Sequence, residues 1–137
     1  MDLVETFNWL LGLRVRHIDS IRGFRIVEGI NPKGEKVLVI WRKIRDLAET
    51  DSDKIRAQRE QANRDLEEFF RKQQYNTLDT EFDVIYVNGD NNLMNIPLEK
   101  SPGHQVSQSP GLSEESRYKI RLIEEEFKRL MFDVKDV

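Results

Sequence analysis

Val37-Leu38-Val39-Ile40-Trp41-Arg42 and Val84-Ile85-Tyr86-Val87-Asn88-Gly89-Asp90 are two apolar runs separated by a long, charged stretch with helical spacing. Apolar run, amphipathic helix and second apolar run together make the pattern of a parallel βαβ crossover whose strands are covered on both faces. Such a crossover turns in the right-handed sense. Ligands and catalytic groups of these units gather at the carboxyl ends of the strands. Here those ends read Trp41-Arg42-Lys43 and Asn88-Gly89-Asp90, with no glycine-rich phosphate loop at either. The layout is one that enzymes use, but the residues that do the chemistry are missing from it.

Between the runs, Asp51-Ser52-Asp53 caps a helix that reaches about Lys72, with Ile55, Ala62, Leu66, Phe69 and Phe70 on one stripe. Upstream, strands are expected at about 13–19, 23–29 and 36–42. Asn31-Pro32-Lys33-Gly34 between the last two predicts an antiparallel hairpin. Gly23 marks a turn, and Gly29 a bulge or strand end. The first two strands alternate polar and apolar residues, the pattern of a sheet with one wet face. A short helix over 2–11 precedes them, with Asp2 at its N-cap, Glu5 at capping-box spacing and Gly12 at its stop. So short a helix is marginal alone and must dock, either on the sheet or on another chain.

Downstream, 99–112 (EKSPGHQVSQSPGL) carries two Pro-Gly turns and almost no apolar content, which predicts a flexible loop or linker. Ser113 then opens a final helix to about Met131, with Ile120, Ile123, Phe127, Leu130 and Met131 on one face. The expected fold is α/β (or α+β): a mixed sheet of about four strands with the βαβ crossover and a helix at each end. Its organisation is a domain over 1–98, a linker over 99–112 and a C-terminal helix over 113–137 that docks on the domain or on a partner.

The chain's 137 residues suit one domain with one core. With 34% charged residues and a mean hydropathy of −0.64, it reads as a soluble protein, and no apolar run approaches a membrane span. Asp2 and Glu5 stand where a signal peptide would be cationic, and the absence of cysteine removes disulfides and thiolate chemistry. A cytoplasmic location is expected. The net charge of −3 hides a gradient. Residues 1–45 hold nine Lys/Arg against five Asp/Glu, and residues 46–112 hold seven against thirteen. Arg14, Arg16, Arg22, Arg25, Lys33, Lys36, Arg42 and Lys43 are therefore the candidate contacts to a DNA backbone, which would position nucleic acid without reading its sequence. Arg14 and Arg16 alternate onto one strand face. Phe7, Leu10, Leu11, Ile123, Phe127 and Leu130 are the candidate partner-docking residues of the two terminal helices.

Catalytic and metal signals are weak. His17 and His104 are the only histidines, and His104 falls in the linker with no second ligand at a metal spacing. Asn88-Gly89-Asp90-Asn91-Asn92 is rich in oxygen but lacks the spaced acids and terminal bidentate Glu of a calcium loop, so a turn with local Asx bonds is the plainer reading. Glu67-Glu68 and Glu124-Glu125-Glu126 point in different directions around a helix and read as solvated faces, not as paired catalytic carboxylates. Trp41 and Tyr86 lie in apolar strands and read as core. No catalytic, cofactor-binding or metal residue is assigned.

Four segments in order carry a family resemblance. Asp2-Leu3-Val4-Glu5-Thr6-Phe7-Asn8-Trp9-Leu10-Leu11-Gly12-Leu13 resembles a segment near the end of adenine-specific DNA methyltransferases of the type III restriction-modification kind. Val37–Arg42, Phe82–Asp90 and Glu126-Phe127-Lys128-Arg129-Leu130-Met131-Phe132 resemble the next landmarks of that modification subunit. The resemblance implies a prokaryotic enzyme that moves a methyl group from S-adenosylmethionine to the exocyclic amine of adenine. That chemistry uses an Asp-Pro-Pro-Tyr motif and a Phe-x-Gly-x-Gly motif, and neither is present: Pro32, Pro97, Pro102 and Pro110 are never adjacent. What the resemblance implies is thus a C-terminal region without the catalytic core, inactive alone and without its own cofactor. Its expected partners are the rest of the methyltransferase, another subunit or a second copy, with DNA contact in addition and no membrane. The alternative from the residues alone is a stand-alone interaction or oligomerisation module unrelated to DNA.

Overall fold

In the computed structural model, residues 2–43, 50–78, 80–89, 91–97 and 118–135 are described, with side chains through Met131. The element order is α1 (Leu3–Leu11), β1 (Arg14–Ile21), β2 (Phe24–Ile30), β3 (Lys36–Trp41), α2 (Ser52–Lys72), β4 (Val84–Val87), β5 (Ile120–Leu122) and α3 (Ile123–Lys135). The five strands form one mixed sheet in chain order, β1-β2-β3-β4-β5. β1–β2 and β2–β3 pair antiparallel, while β3–β4 and β4–β5 pair parallel. The expected hairpin and the expected β3-α2-β4 crossover are both present.

Alternation along the central strands sends side chains to two separate cores. Ile26, Leu38, Ile40, Ile85 and Val87 face α2, where Leu66, Phe69 and Phe70 cover them. Val27, Val37, Val39, Val84 and Tyr86 face the other way and are covered by Val4 and Phe7 of α1 and Ile123 of α3. The sheet is therefore sandwiched between α2 and the α1/α3 pair. That explains why β3 and β4 are apolar throughout: each residue is buried on whichever face it points to.

The helix ends follow local chemistry. Asp2 Oδ1 accepts the Val4 N–H at 2.9 Å, and Gly12, at φ +64°, lets Leu13 N–H reach back to the Asn8 carbonyl at 2.9 Å. Asp51 caps α2 by accepting from Asp53 N–H at 2.9 Å.

Three expectations are corrected. The sheet has five strands, because Ile120–Leu122 pairs with β4 and α3 begins only at Ile123. The described residues 118–122 are thus not helical, and Ile120–Leu122 is extended. Neither β1 nor β2 has one wet and one dry face: β1 is exposed on both sides at the sheet edge, and β2 buries Ile26 and Val27 on opposite faces. Arg14 and Arg16 do not alternate simply, since a bulge shifts the register between Val15 and His17. The loop over 99–112, His104, Asp90 and the start at Ser113 lie outside the described residues.

Candidate functional site

The carboxyl ends of β3 and β4 are where an α/β sheet presents a ligand site. In this chain they are closed by its own side chains. Arg42 N–H donates to Asn88 Oδ1 and Asn88 Nδ2 donates to the Arg42 carbonyl, both at 2.8 Å. The Asn88 amide thus imitates one more rung of the parallel ladder. The Arg42 guanidinium is buried and donates to the Asn88 carbonyl at 2.8 Å and to Asn63 Oδ1 of α2 at 2.9 Å. Beside it, Gly89 N–H donates to both carboxylate oxygens of Glu124 in the first turn of α3, at 2.9 and 3.0 Å. These donors join β3, α2, β4 and α3 to one another.

Next to this closed end lies a cleft of about 370 Å³ between the β1–β2 turn and α2, with Arg22, Phe24, Lys43, Asp65 and Glu68 around it. Its apolar wall is the stacked pair Phe24 and Phe69, centroids 4.2 Å apart. Arg22 holds a left-handed φ of +53° beside Gly23 at +84°. Both signs are positive because a two-residue hairpin turn needs them, at a cost of roughly 1–2 kcal/mol for a residue with a Cβ. Lys72, 2.9 Å from Glu68, holds that carboxyl below its usual range by hydrogen bond and charge, with smaller help from Arg71 and Arg22. Asp65 accepts from Gln61 at 2.8 Å. Cations and carboxylates alternate around the opening, so it does not present a single sign of charge.

The candidate cations are divided by the fold. Arg22, Arg42 and Lys43 meet at the cleft, with Arg42 committed to the strand ends. Arg14, Lys33 and Lys36 stand at the opposite end of the sheet, where Arg14, Ile30 and Lys36 share a register row. The six-residue length of β3 puts the two groups roughly 20 Å apart. Arg16 sits at the bulge, Lys36 Nζ donates to the Thr80 carbonyl at 2.9 Å, and Arg25 pairs with Asp2 at 3.6 Å.

The candidate docking residues turn mostly inward. Phe7 is 0% exposed and Ile123 is buried, while Leu10, Leu11, Phe127 and Leu130 are half-buried. Phe7 meets Trp41 edge-on at 5.9 Å, Tyr86 edge-on at 5.4 Å and Phe127 in a stack at 5.8 Å. Of the two docking choices open to α1, the sheet behind it is the one taken. Glu124 and Glu126, expected on a solvated face, both hold structure: Glu124 binds Gly89, and Glu126 is buried against Arg129 at 2.5 Å. Burial, reinforced by Glu126 and opposed by Arg121, pushes the Tyr86 hydroxyl up to about 12.

Among the described residues, no group of three or more His, Cys, Asp or Glu is arranged to hold a metal ion. His17 Nε2 lies 3.7 Å from Asp19 Oδ2. No helix among them is long and apolar enough to cross a membrane. No protein-family model, curated protein or solved structure matches this chain. Not legible from the sequence were Asn88 as a strand clamp, Glu124 as the acceptor of Gly89 N–H, and Asn95, whose side-chain amide bonds the Ile120 backbone. The only local signal was an Asn-Gly pair at a strand end, which reads equally well as a turn.

Proposed function

We propose that this chain is a non-catalytic scaffold domain of the kind that closes the C-terminal end of adenine-specific DNA methyltransferase modification subunits. It would be prokaryotic and cytoplasmic, support the methylase core and subunit association, and touch the DNA backbone only through the Arg22–Lys43 end. One observation carries the reading: the four segments that resemble the family each contribute one ring to a single cluster. Phe7 comes from the first segment, Trp41 from the second, Tyr86 from the third and Phe127 from the fourth. The segments that carry the resemblance thus meet in one packed core, as segments of a common fold would. The closed strand ends and the missing methyltransferase motifs agree with a scaffold. S-adenosylmethionine belongs to the parent enzyme: this sequence has no Phe-x-Gly-x-Gly stretch to hold it. Incubating the chain with labelled S-adenosylmethionine and DNA should incorporate no label, and turnover would overturn the proposal.

A second reading, an interaction module unrelated to DNA, is favoured by Trp9 and Leu3 of α1, which are 73% and 61% exposed. DNA affinity measured against salt separates the two. Binding that weakens as salt rises supports the scaffold; absence of binding at low salt supports the module.

A further inference from the structure

The two edges of the sheet are finished differently. At the β5 edge, Asn95 Nδ2 donates to the Ile120 carbonyl at 2.9 Å and Asn95 Oδ1 accepts Ile120 N–H at 2.8 Å, so a side chain takes the place of a neighbouring strand. Pro97 bridges to Tyr118 just before it. At the other edge, the eight residues of β1 have no strand or side chain of this kind beside them among the described residues. Ile18 is 47% exposed there and Val15 38%.

The turn determines which backbone groups face that open edge. Ile21 and Phe24 close a two-residue hairpin, and such a closing pair exchanges both of its hydrogen bonds. Alternation then turns Asp19 and His17 toward β2, and Ser20 and Ile18 outward. The position of Ser20 agrees: its N–H is taken by Asp19 Oδ1 at 2.8 Å. Bulge and charges guard the start of the strand, as edges commonly are guarded. Beyond the bulge, 17–21 is regular.

We propose that β1 is a self-pairing edge, where a second copy of this chain adds its own β1 antiparallel about a two-fold axis through Ile18. An isologous contact must be complementary to itself, and the register decides whether it is. An axis through Asp19 sets that carboxylate against its own copy, and like charges directly opposite destabilise a strand pair. An axis through His17 sets imidazole against imidazole. An axis through Ile18 sets His17 against Asp19 on both sides of the centre, on one face of the extended sheet, and Ile18 against Ile18 on the other. The two sheets then join into one of ten strands. So short a strand pair lies at or below the roughly 1,200 Å² of a stable interface, so the association is weak and concentration-dependent.

Sedimentation velocity of the full chain over a range of concentrations reads this directly, as a shift from 16.2 kDa toward twice that mass. The absence of cysteine allows a test of register. In Ile18→Cys the two thiols fall on the axis, with Cα atoms about 5.5 Å apart, inside disulfide range, so mild oxidation should trap a covalent dimer. In Ser20→Cys they lie about 14 Å apart and should not link. Ile18→Lys should weaken the dimer at least tenfold and leave the thermal melt unchanged. A native chain that stays monomeric up to about 1 mM, or equal cross-linking at 18 and 20, overturns the proposal.

Discussion

Phe7 sits where three other rings meet it, and each comes from a different part of the chain. Replacing it with alanine removes the contact that ties α1 to the sheet and to α3. Phe7→Ala should cost about 3–5 kcal/mol in a urea unfolding curve, a large share of a domain's stability. Asn88 is a smaller but sharper case. Asn88→Ala removes two hydrogen bonds from the Arg42 backbone, so about 1–3 kcal/mol is expected, together with faster amide exchange at Arg42. Tyrosine titration adds a pH effect. Burial pushes Tyr86 and Tyr75 up to about 12, with Glu126 adding to the first and Glu28, Glu81 and Asp19 to the second. Above about pH 10 the unfolded chain gives up these protons while the folded one keeps them, so the unfolded state binds fewer. Stability is therefore retained below about pH 10 and falls as pH rises toward about 12, which urea midpoints across that range would show. Tyr86 was legible as core from its apolar strand, but the Phe7 ring cluster and the Asn88 clamp could not be read locally. Arg42 looked like a surface cation because its partner, Asn88, is 46 residues away.

At the scale of elements, Gly29 shows how a strand edge is seated. It lies opposite Val15, next to the bulge, and a Cβ there would come 2.5 Å from the Arg14 carbonyl oxygen and 2.8 Å from Leu13 Cγ. Backbone cannot yield by that much without unpairing. Gly29→Ala should lower the melting temperature and loosen β1 ahead of the rest of the sheet, measurable as early amide exchange over 14–21. The glycine was legible as a bulge or strand end, although the extra residue belongs to β1. Caps were legible too, because Asp2, Gly12 and Asp51 act on backbone groups within a few residues of themselves. β5 was not. Ile120, Ile123, Phe127 and Leu130 fit a helical stripe, and three residues are too few to display the two-residue period of a strand. Ile120–Leu122 is extended because β4 offers it a free parallel edge.

For the molecule as a whole, the distribution of charge limits what it can grip. The cations that sequence reasoning grouped as one surface stand at opposite ends of the sheet, with Arg25 held by Asp2 and Arg42 buried. Contact through the Arg22–Lys43 end engages about two phosphates, so log affinity for duplex DNA should fall with log salt at a slope near −2, where all eight would give about −7. Fluorescence anisotropy at several salt concentrations distinguishes these values.

By itself, the sequence determined the hairpin, the βαβ crossover, the caps and the apolar runs, because each rests on interactions between residues close in the chain or on a period that repeats within one element. Only the tertiary structure decided that β1 takes a sheet edge, that Phe7 joins its own segment to three distant ones, and that Arg42 and Asn88 close the strand ends. Those outcomes depend on which elements become neighbours, and burial, pairing and closure are properties of neighbours.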